Sequence, residues 1–299
     1  MTTSPTPPRL HTTRRGLDHG TFPMRLWAKA KAHGIWNPQD IDFEQDRRDW
    51  EKLNELERDV LLRLSTLFQA GEESVTVDLL PLIGVIASEG RLEEEMYLTS
   101  FLWEEAKHVE LFDRFLREVT QYQGDLSGYF TPSYSIIFEQ ELPTALAQLR
   151  QDASPEAQAR ASVTYNMIVE GVLAETGYHA YRHMLERNGI LPGMQQAVRH
   201  LQRDESRHMA YGVYLLSRLV AEHGDGVWRA IEERLAELLG PAILLIQELF
   251  AAYDTLPFGL ELEQFTEYAI GQFQKRSQRI EKARGKTLAD VSSAQPSAA

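Results

Sequence analysis

With 299 residues and 43% hydrophobic content, the chain can bury one large core. Its 31 basic against 44 acidic side chains give a net charge of −13, a poor field for nucleic acid or anionic membrane. Cysteine is absent, which removes disulfides, thiolate metal sites and iron–sulfur clusters and leaves oxygen and nitrogen donors.

Residues 1–20 are rich in Pro and Thr and read as a flexible tail; Arg14-Arg15 lacks the apolar run of an export signal. Residues 21–284 carry a helical period almost throughout and predict a single all-α domain. Within it, residues 51–87 predict one long helix, with Leu56, Val60, Leu64 and Leu67 spaced for burial and Pro81 bending the far end. Residues 92–119 predict a second, carrying Leu98, Leu102, Val109 and Phe112. After a loop with Gly124, Gly128 and Pro132, a shorter helix is expected over about 135–151. Ser154-Pro155-Glu156 is a strong helix start, and that helix should run to Arg187 and stop at Asn188-Gly189. Pro192 opens the next, ending near His223-Gly224. Residues 225–253, interrupted at Gly240-Pro241, and 261–282 complete the helices; the basic stretch 275–286 reads as a solvated helix end. The longest apolar runs are too short to span a bilayer, so a cytoplasmic protein without a transmembrane segment is expected. Residues 285–299 read as a disordered tail.

Two Glu-x-x-His pairs, Glu105 with His108 and Glu205 with His208, stand out, because residues three apart on a helix share a face and can reach one ion. Glu72 stands 33 residues before Glu105, and Glu170 stands 35 before Glu205. Four carboxylates and two imidazoles from four helices are the ligand set of a carboxylate-bridged dinuclear metal centre. The expected architecture is therefore a ferritin-like four-helix bundle with additional packing helices. Glu72 and Glu170 lie in apolar stretches, where a carboxylate is costly unless its charge is matched. For Glu73 and Glu104 an outward, solvated position is expected. Gly71 and Gly171 beside the ligands could leave room for something bound there. Asp204 could accept the free ring N–H of His108 from the facing helix. His179, His183, His200 and His223 lack a Glu three residues earlier and read as polar or supporting residues. Oxygen-rich donors suit iron or manganese without choosing between them.

Together with Trp36-Asn37-Pro38-x-x-Ile41-Asp42 and Asp46-x-x-Asp49-Trp50, these motifs resemble the ribonucleotide reductase small-subunit superfamily over about residues 20–280. Two departures from the ordinary reductase subunit stand out. Phe112 occupies the place of the family's radical tyrosine, and the tail from Gly285 to Ala299 has no aromatic radical-relay residue. Gly71-Glu72-Glu73-Ser74-Val75-Thr76-Val77-Asp78-Leu79-Leu80-Pro81-Leu82 is similar to the ligand-binding oxidase branch. That resemblance implies manganese held by Glu72, Glu105 and His108, and iron held by Glu170, Glu205 and His208. Glu105 would bridge the pair, Asp204 and Trp36 would support it, and a di-iron pair is the alternative. It further implies an ether cross-link between Val75 and Tyr165, a bound long-chain fatty acid or similar hydrophobic carboxylate, dioxygen as oxidant, an external electron donor and a homodimer. The expected function is a dioxygen-activating oxidase. Its competitors are a Mn/Fe ribonucleotide reductase small subunit, which Phe112 fits and the tail opposes, a ferritin-like iron store, which the chain length opposes, and a metal-free structural bundle.

Overall fold

The computed structural model describes Leu10 and residues 12–293, so residues 1–9, 11 and 294–299 of the two expected tails lie outside the described residues. All regular elements among the described residues are helical. The first half comprises α1 (Phe22–His33), α2 (Glu44–Lys52), α3 (Glu55–Asp78), α4 (Leu80–Ser88) and α5 (Leu92–Glu118). The second half holds α6 (Leu142–Gln148), α7 (Pro155–Ser162), α8 (Glu175–Asn188), α9 (Pro192–His223), α10 (Asp225–Ala251), α11 (Leu262–Glu281) and α12 (Leu288–Ser293). None of these helices is long and apolar enough to cross a membrane.

The bundle's directions can be read from its contacts. Phe68 on α3 stacks on Phe112 of α5 with centroids 5.0 Å apart, and Glu72 meets His108, so one index falls as the other rises. Asn166 lies against Gly212, and Glu170 faces His208, giving the second antiparallel pair. The ligand-bearing helices of each half thus run antiparallel to one another, as the expected bundle requires.

The expected long helix over 51–87 is instead three pieces. Asn54 caps α3 in a reciprocal capping box: its side chain accepts Glu57 N–H at 3.0 Å, and Glu57 accepts Asn54 N–H at 2.9 Å. The chain turns again at Leu79, and Pro81 sits in the first turn of α4, where its missing N–H costs nothing. Leu56 consequently faces solvent. The helix beginning at Ser154 starts and stops as expected: Ser154 Oγ caps Ala157, and Gly189 takes the left-handed φ of 62°. Its middle, however, is a π-helix over Val163–Ala174, and a second π segment over Ser135–Glu141 precedes α6. The expected interruption at Gly240-Pro241 does not occur. Helix α10 runs through it because Ala242, Leu245 and Ile246 beyond the proline are buried, and packing overrides propensity.

The inner parts of both expected tails are held by the domain. Thr12–Arg15 forms a helical turn whose Arg15 reaches Glu93 at 2.8 and 3.1 Å. Val291 of α12 is buried in the main core. Polar contacts, among them Asp18 N–H to Glu93 at 3.1 Å and Arg25 to the Ser292 carbonyl at 2.9 Å, and one buried valine anchor these segments, too little apolar pattern to show as a helical period.

Helix α9, which carries one Glu-x-x-His pair, is seated by α2. Buried Asp46 accepts the N–H groups of Gly193 and Met194 at 2.8 and 2.7 Å, and Asp49 accepts that of Leu191 at 3.1 Å. Carboxylates at a helix start satisfy its free donors and its dipole. Gly193 is required there, since a Cβ would lie 2.4 Å from Asp42 O.

Candidate metal centre

Helix α3 brings Glu72, α5 brings Glu105 and His108, the long π-helix brings Glu170, and α9 brings Glu205 and His208. All six are buried. One ligand atom from each of Glu72, Glu105, His108 and Glu205 lies within 4.8 Å of the others, and the same holds for Glu105, Glu170, Glu205 and His208. The two groups share Glu105 and also Glu205, a second candidate bridge that sequence alone did not single out.

Each imidazole turns Nδ1 inward. His108 Nδ1 lies 3.4 Å from oxygens of Glu72, Glu105 and Glu205. His208 Nδ1 lies 3.0 Å from Glu105 and 3.6 Å from both Glu170 and Glu205. Both Nδ1 atoms, Glu105 Oε2, Glu170 Oε1 and Glu205 Oε2 are buried without a hydrogen-bond partner among the described residues. So many orphaned acceptors in one place are costly unless cations sit among them. The donor set therefore fits two metal ions with oxygen and nitrogen preference.

The outer nitrogens are held crosswise. His108 Nε2 is 3.4 Å from Asp204 on α9, while His208 Nε2 is 2.9 Å from Glu104 on α5. Glu104, expected to face solvent, is fully buried and corrects that reading. Its signal was available: an acid precedes each Glu-x-x-His, Glu104 in one half and Asp204 in the other. Arg207 ties the two outer carboxylates together, reaching Glu104 at 2.7 Å and also bonding Asp204. Trp36 Nε1–H donates to Asp204 at 2.8 Å, Lys107 reaches the same carboxylate at 3.1 Å, and His200 stacks on Trp36.

Burial pushes the Glu72 carboxyl up to about 8, and burial likewise raises Glu170 and Glu205. Glu105 goes the other way: burial opposes ionisation, but two neighbouring imidazoles outweigh it. Both histidines are raised because surrounding carboxylates outweigh desolvation. Without metal, the native cluster thus binds protons that the unfolded chain releases. Between about pH 5 and pH 8 stability must fall as pH rises, because there the native state is the more protonated one. Thermal unfolding of metal-free protein should show a midpoint that drops across this interval, with the drop removed by metal. A midpoint rising with pH in the metal-free protein would contradict the assignment of these protons.

An apolar cavity of about 130 Å³ opens beside the cluster, roughly ten times what one water needs. Leu67, Phe68, Val169, Leu173, Ile246 and Phe265 are among its walls. Among the described residues its only charged lining groups are Glu72, Glu105, Glu170 and Glu205, and neither imidazole lines it. Gly71 lines it, and a Cβ there would come within 3.3 Å of Phe138. Gly171 does not share that role: a Cβ would sit 2.8 Å from Arg276, so this glycine admits an arginine. Arg276 is consequently half-buried, unlike exposed Lys275, which corrects the reading of 275–286 as wholly solvated. Val75 lines the cavity, while Tyr165 is fully buried and donates its hydroxyl to Glu105 at 2.8 Å. The π-helix carries both Tyr165 and Glu170, with Asn166 bonding Glu170 at 3.0 Å across one of its turns. Wide turns of this kind recur at functional sites. Phe112 is buried between Phe68 and Tyr181.

A family model described as ribonucleotide reductase, small chain, matches residues 24–276. Among solved structures, an R2-like ligand-binding oxidase from Sulfolobus acidocaldarius is 39% identical with a TM-score of 0.87, covering 94% of this chain and 98% of that one. Another R2-like ligand-binding oxidase, with an aerobically reconstituted Mn/Fe cofactor, is 37% identical with a TM-score of 0.86, covering 90% and 96%. A tyrosine-to-phenylalanine form of such an oxidase is 38% identical with a TM-score of 0.85, covering 90% and 97%. Further solved forms replace a glycine or a valine, and the replaced glycine, valine and tyrosine are spaced as Gly71, Val75 and Tyr165 are here.

Proposed function

The chain belongs to the ribonucleotide reductase small-chain family, among its R2-like ligand-binding oxidases, and from that premise we propose a dioxygen-dependent Mn/Fe oxidase acting on a long-chain fatty acid or similar apolar carboxylate. As a member of that family it is an oxidoreductase. The observation that carries the finer reading is the apolar cavity whose only charges are the four candidate ligand glutamates.

In this reading Glu72, Glu105 and His108 hold manganese, Glu170, Glu205 and His208 hold iron, and Glu105 joins the two positions. The bound pair supplies dioxygen reduction and the oxidising power for a two-electron oxidation. The protein's contribution is positional. Asp204 and Glu104 fix the tautomer and tilt of the two imidazoles through their outer nitrogens. Leu67, Phe68, Ile246 and Phe265 keep bulk water from the cluster and present aliphatic surface to a chain-like ligand. With four glutamates at one end of the cavity, a further carboxylate would be admitted there only beside bound cations. The ligand's head group would therefore lie on the glutamate side, away from the histidines, with its tail along the apolar walls. Val75 and Tyr165 would be joined as an ether, a homodimer is the assembly, and an external donor restores the electrons.

The test loads full-length protein with manganese and iron in air, follows dioxygen uptake, and extracts bound small molecules for mass analysis. Uptake requiring both metals, together with a co-purifying aliphatic carboxylate, is the expected outcome. Metal-independent uptake, or protein that neither carries nor takes up such a carboxylate, would remove this reading.

A further inference from the structure

Beyond His208, on the side away from the cavity, aromatic rings continue outward. Phe101 stacks on the His208 imidazole at 3.6 Å, and Tyr97 meets Phe101 edge-on at 6.1 Å. Tyr211 follows at 5.3 Å, Tyr214 at 6.2 Å, and Phe22 of α1 stacks on Tyr214 at 4.9 Å. Tyr97 and Tyr211 are fully buried, while Tyr214 is 7% exposed. None of the three tyrosines lines the cavity or touches a candidate ligand oxygen.

Packing alone does not account for the hydroxyls. The Tyr97 hydroxyl is buried with no hydrogen-bond partner among the described residues, a state that costs stability and that phenylalanine would avoid with the same ring. The Tyr211 hydroxyl donates to Glu94 Oε2 at 3.2 Å. Glu94 is itself buried, 3.3 Å from Arg218 and 3.8 Å from Arg91. A buried carboxylate at hydrogen-bond distance is a ready acceptor for a phenol proton, and burial raises its proton affinity further.

We propose that Tyr97 and Tyr211 form an electron relay between the His208 side of the metal centre and the Tyr214–Phe22 ring pair just beneath the surface, with Glu94 as the proton acceptor of Tyr211. The proposal rests on the oxidase reading, which supplies the oxidant. One electron leaves Tyr211 and passes by way of Tyr97 and Phe101 to the dioxygen-oxidised metal pair, which is reduced by one electron. The Tyr211 proton moves to Glu94, leaving a neutral tyrosyl radical beside a neutral carboxylic acid. A one-electron reductant of the ascorbate or thiol class, acting through the Tyr214 and Phe22 rings, then refills Tyr211, and Glu94 returns the proton. Tyr97, with no proton acceptor, is the harder of the two to oxidise, so the oxidising equivalent passes it and comes to rest on Tyr211. Equivalents that find no ligand in the cavity are thereby led away from the metal ligands.

The test exposes full-length protein loaded with manganese and iron to dioxygen without added ligand, with ring-deuterated tyrosine for assignment, and freezes samples for electron paramagnetic resonance. Wild type should show a tyrosyl radical that Tyr211→Phe abolishes, that Tyr97→Phe prevents from forming, and that Glu94→Gln slows. Tyr97→Phe only removes an unpartnered hydroxyl, so it should fold with an unchanged or higher melting point; a packing role would leave the spectrum unmoved. A radical that survives Tyr211→Phe overturns the relay. So does loss of two hydrogens from the chain, reporting metal-centred oxidation, with no such radical in wild type; the oxidase reading then stands alone. Absence of any oxidation removes the oxidase reading and the relay with it.

Discussion

Glu105→Ala protein is expected to retain neither metal ion through dialysis and to consume no dioxygen above the metal-free background. Glu105 belongs to both groups of converging donors, so its loss opens both positions at once. It is also the carboxylate that the two imidazoles hold ionised, and the acceptor of the Tyr165 hydroxyl. Losing a residue that merely supports a ligand costs about 10–100-fold in metal affinity, and a shared direct ligand must exceed that. Glu105→Gln, which keeps the shape but not the charge, should still fail to hold the pair. Glu73→Ala is the matched control, since Glu73 neighbours a candidate ligand yet faces solvent. Elemental analysis after dialysis, beside an oxygen-electrode trace, reads the result. Two tightly held metals in Glu105→Ala would mean that the cluster is not built around this residue.

The two Glu-x-x-His pairs and their upstream glutamates were legible because a ligand set leaves polar residues at fixed helical intervals in apolar surroundings. All four come together in the structure. What stayed hidden has physical causes. The π-helix over Val163–Ala174 is buried on every side through Val172, so it presents no solvent face against which a change of period could be seen. Asn54-x-x-Glu57 does carry the capping-box signature, but amphipathic residues on both flanks continued the apolar period across it. Glu104 taken alone is a charged residue with no sign of burial. Its burial makes sense only with Arg207 and His208 beside it, contacts that span more than a hundred positions. Asp46 is the same case: its purpose is the start of a helix 147 residues away. Long-range neutralisation of a buried charge leaves no local pattern at Asp46, and at Glu104 only its match with Asp204 between the two halves.

Air-exposed, metal-loaded wild-type protein is expected to be lighter than its anaerobic counterpart by two hydrogens, about 2 Da, and Tyr165→Phe should abolish that loss completely. Joining the Tyr165 oxygen to Val75 Cβ removes one hydrogen from each residue, released as two protons, with two electrons passing to the oxidant. Both side chains belong to the same core cluster, beside the candidate ligands. Tyr165 is fixed by its bond to Glu105, and Val75 lies one turn after Glu72. Valine offers a tertiary C–H, the weakest aliphatic bond available there; alanine offers only primary ones, so Val75→Ala should also keep its full mass. Phenylalanine preserves the ring and forfeits one hydrogen bond, about 0.5–1.5 kcal/mol, so Tyr165→Phe remains folded and loads metal. Loss of the mass change would then report chemistry and not misfolding. A wild-type mass indifferent to oxygen removes the ether from the proposal. A Tyr165→Phe chain that still sheds two hydrogens would place the oxidation on another pair of residues.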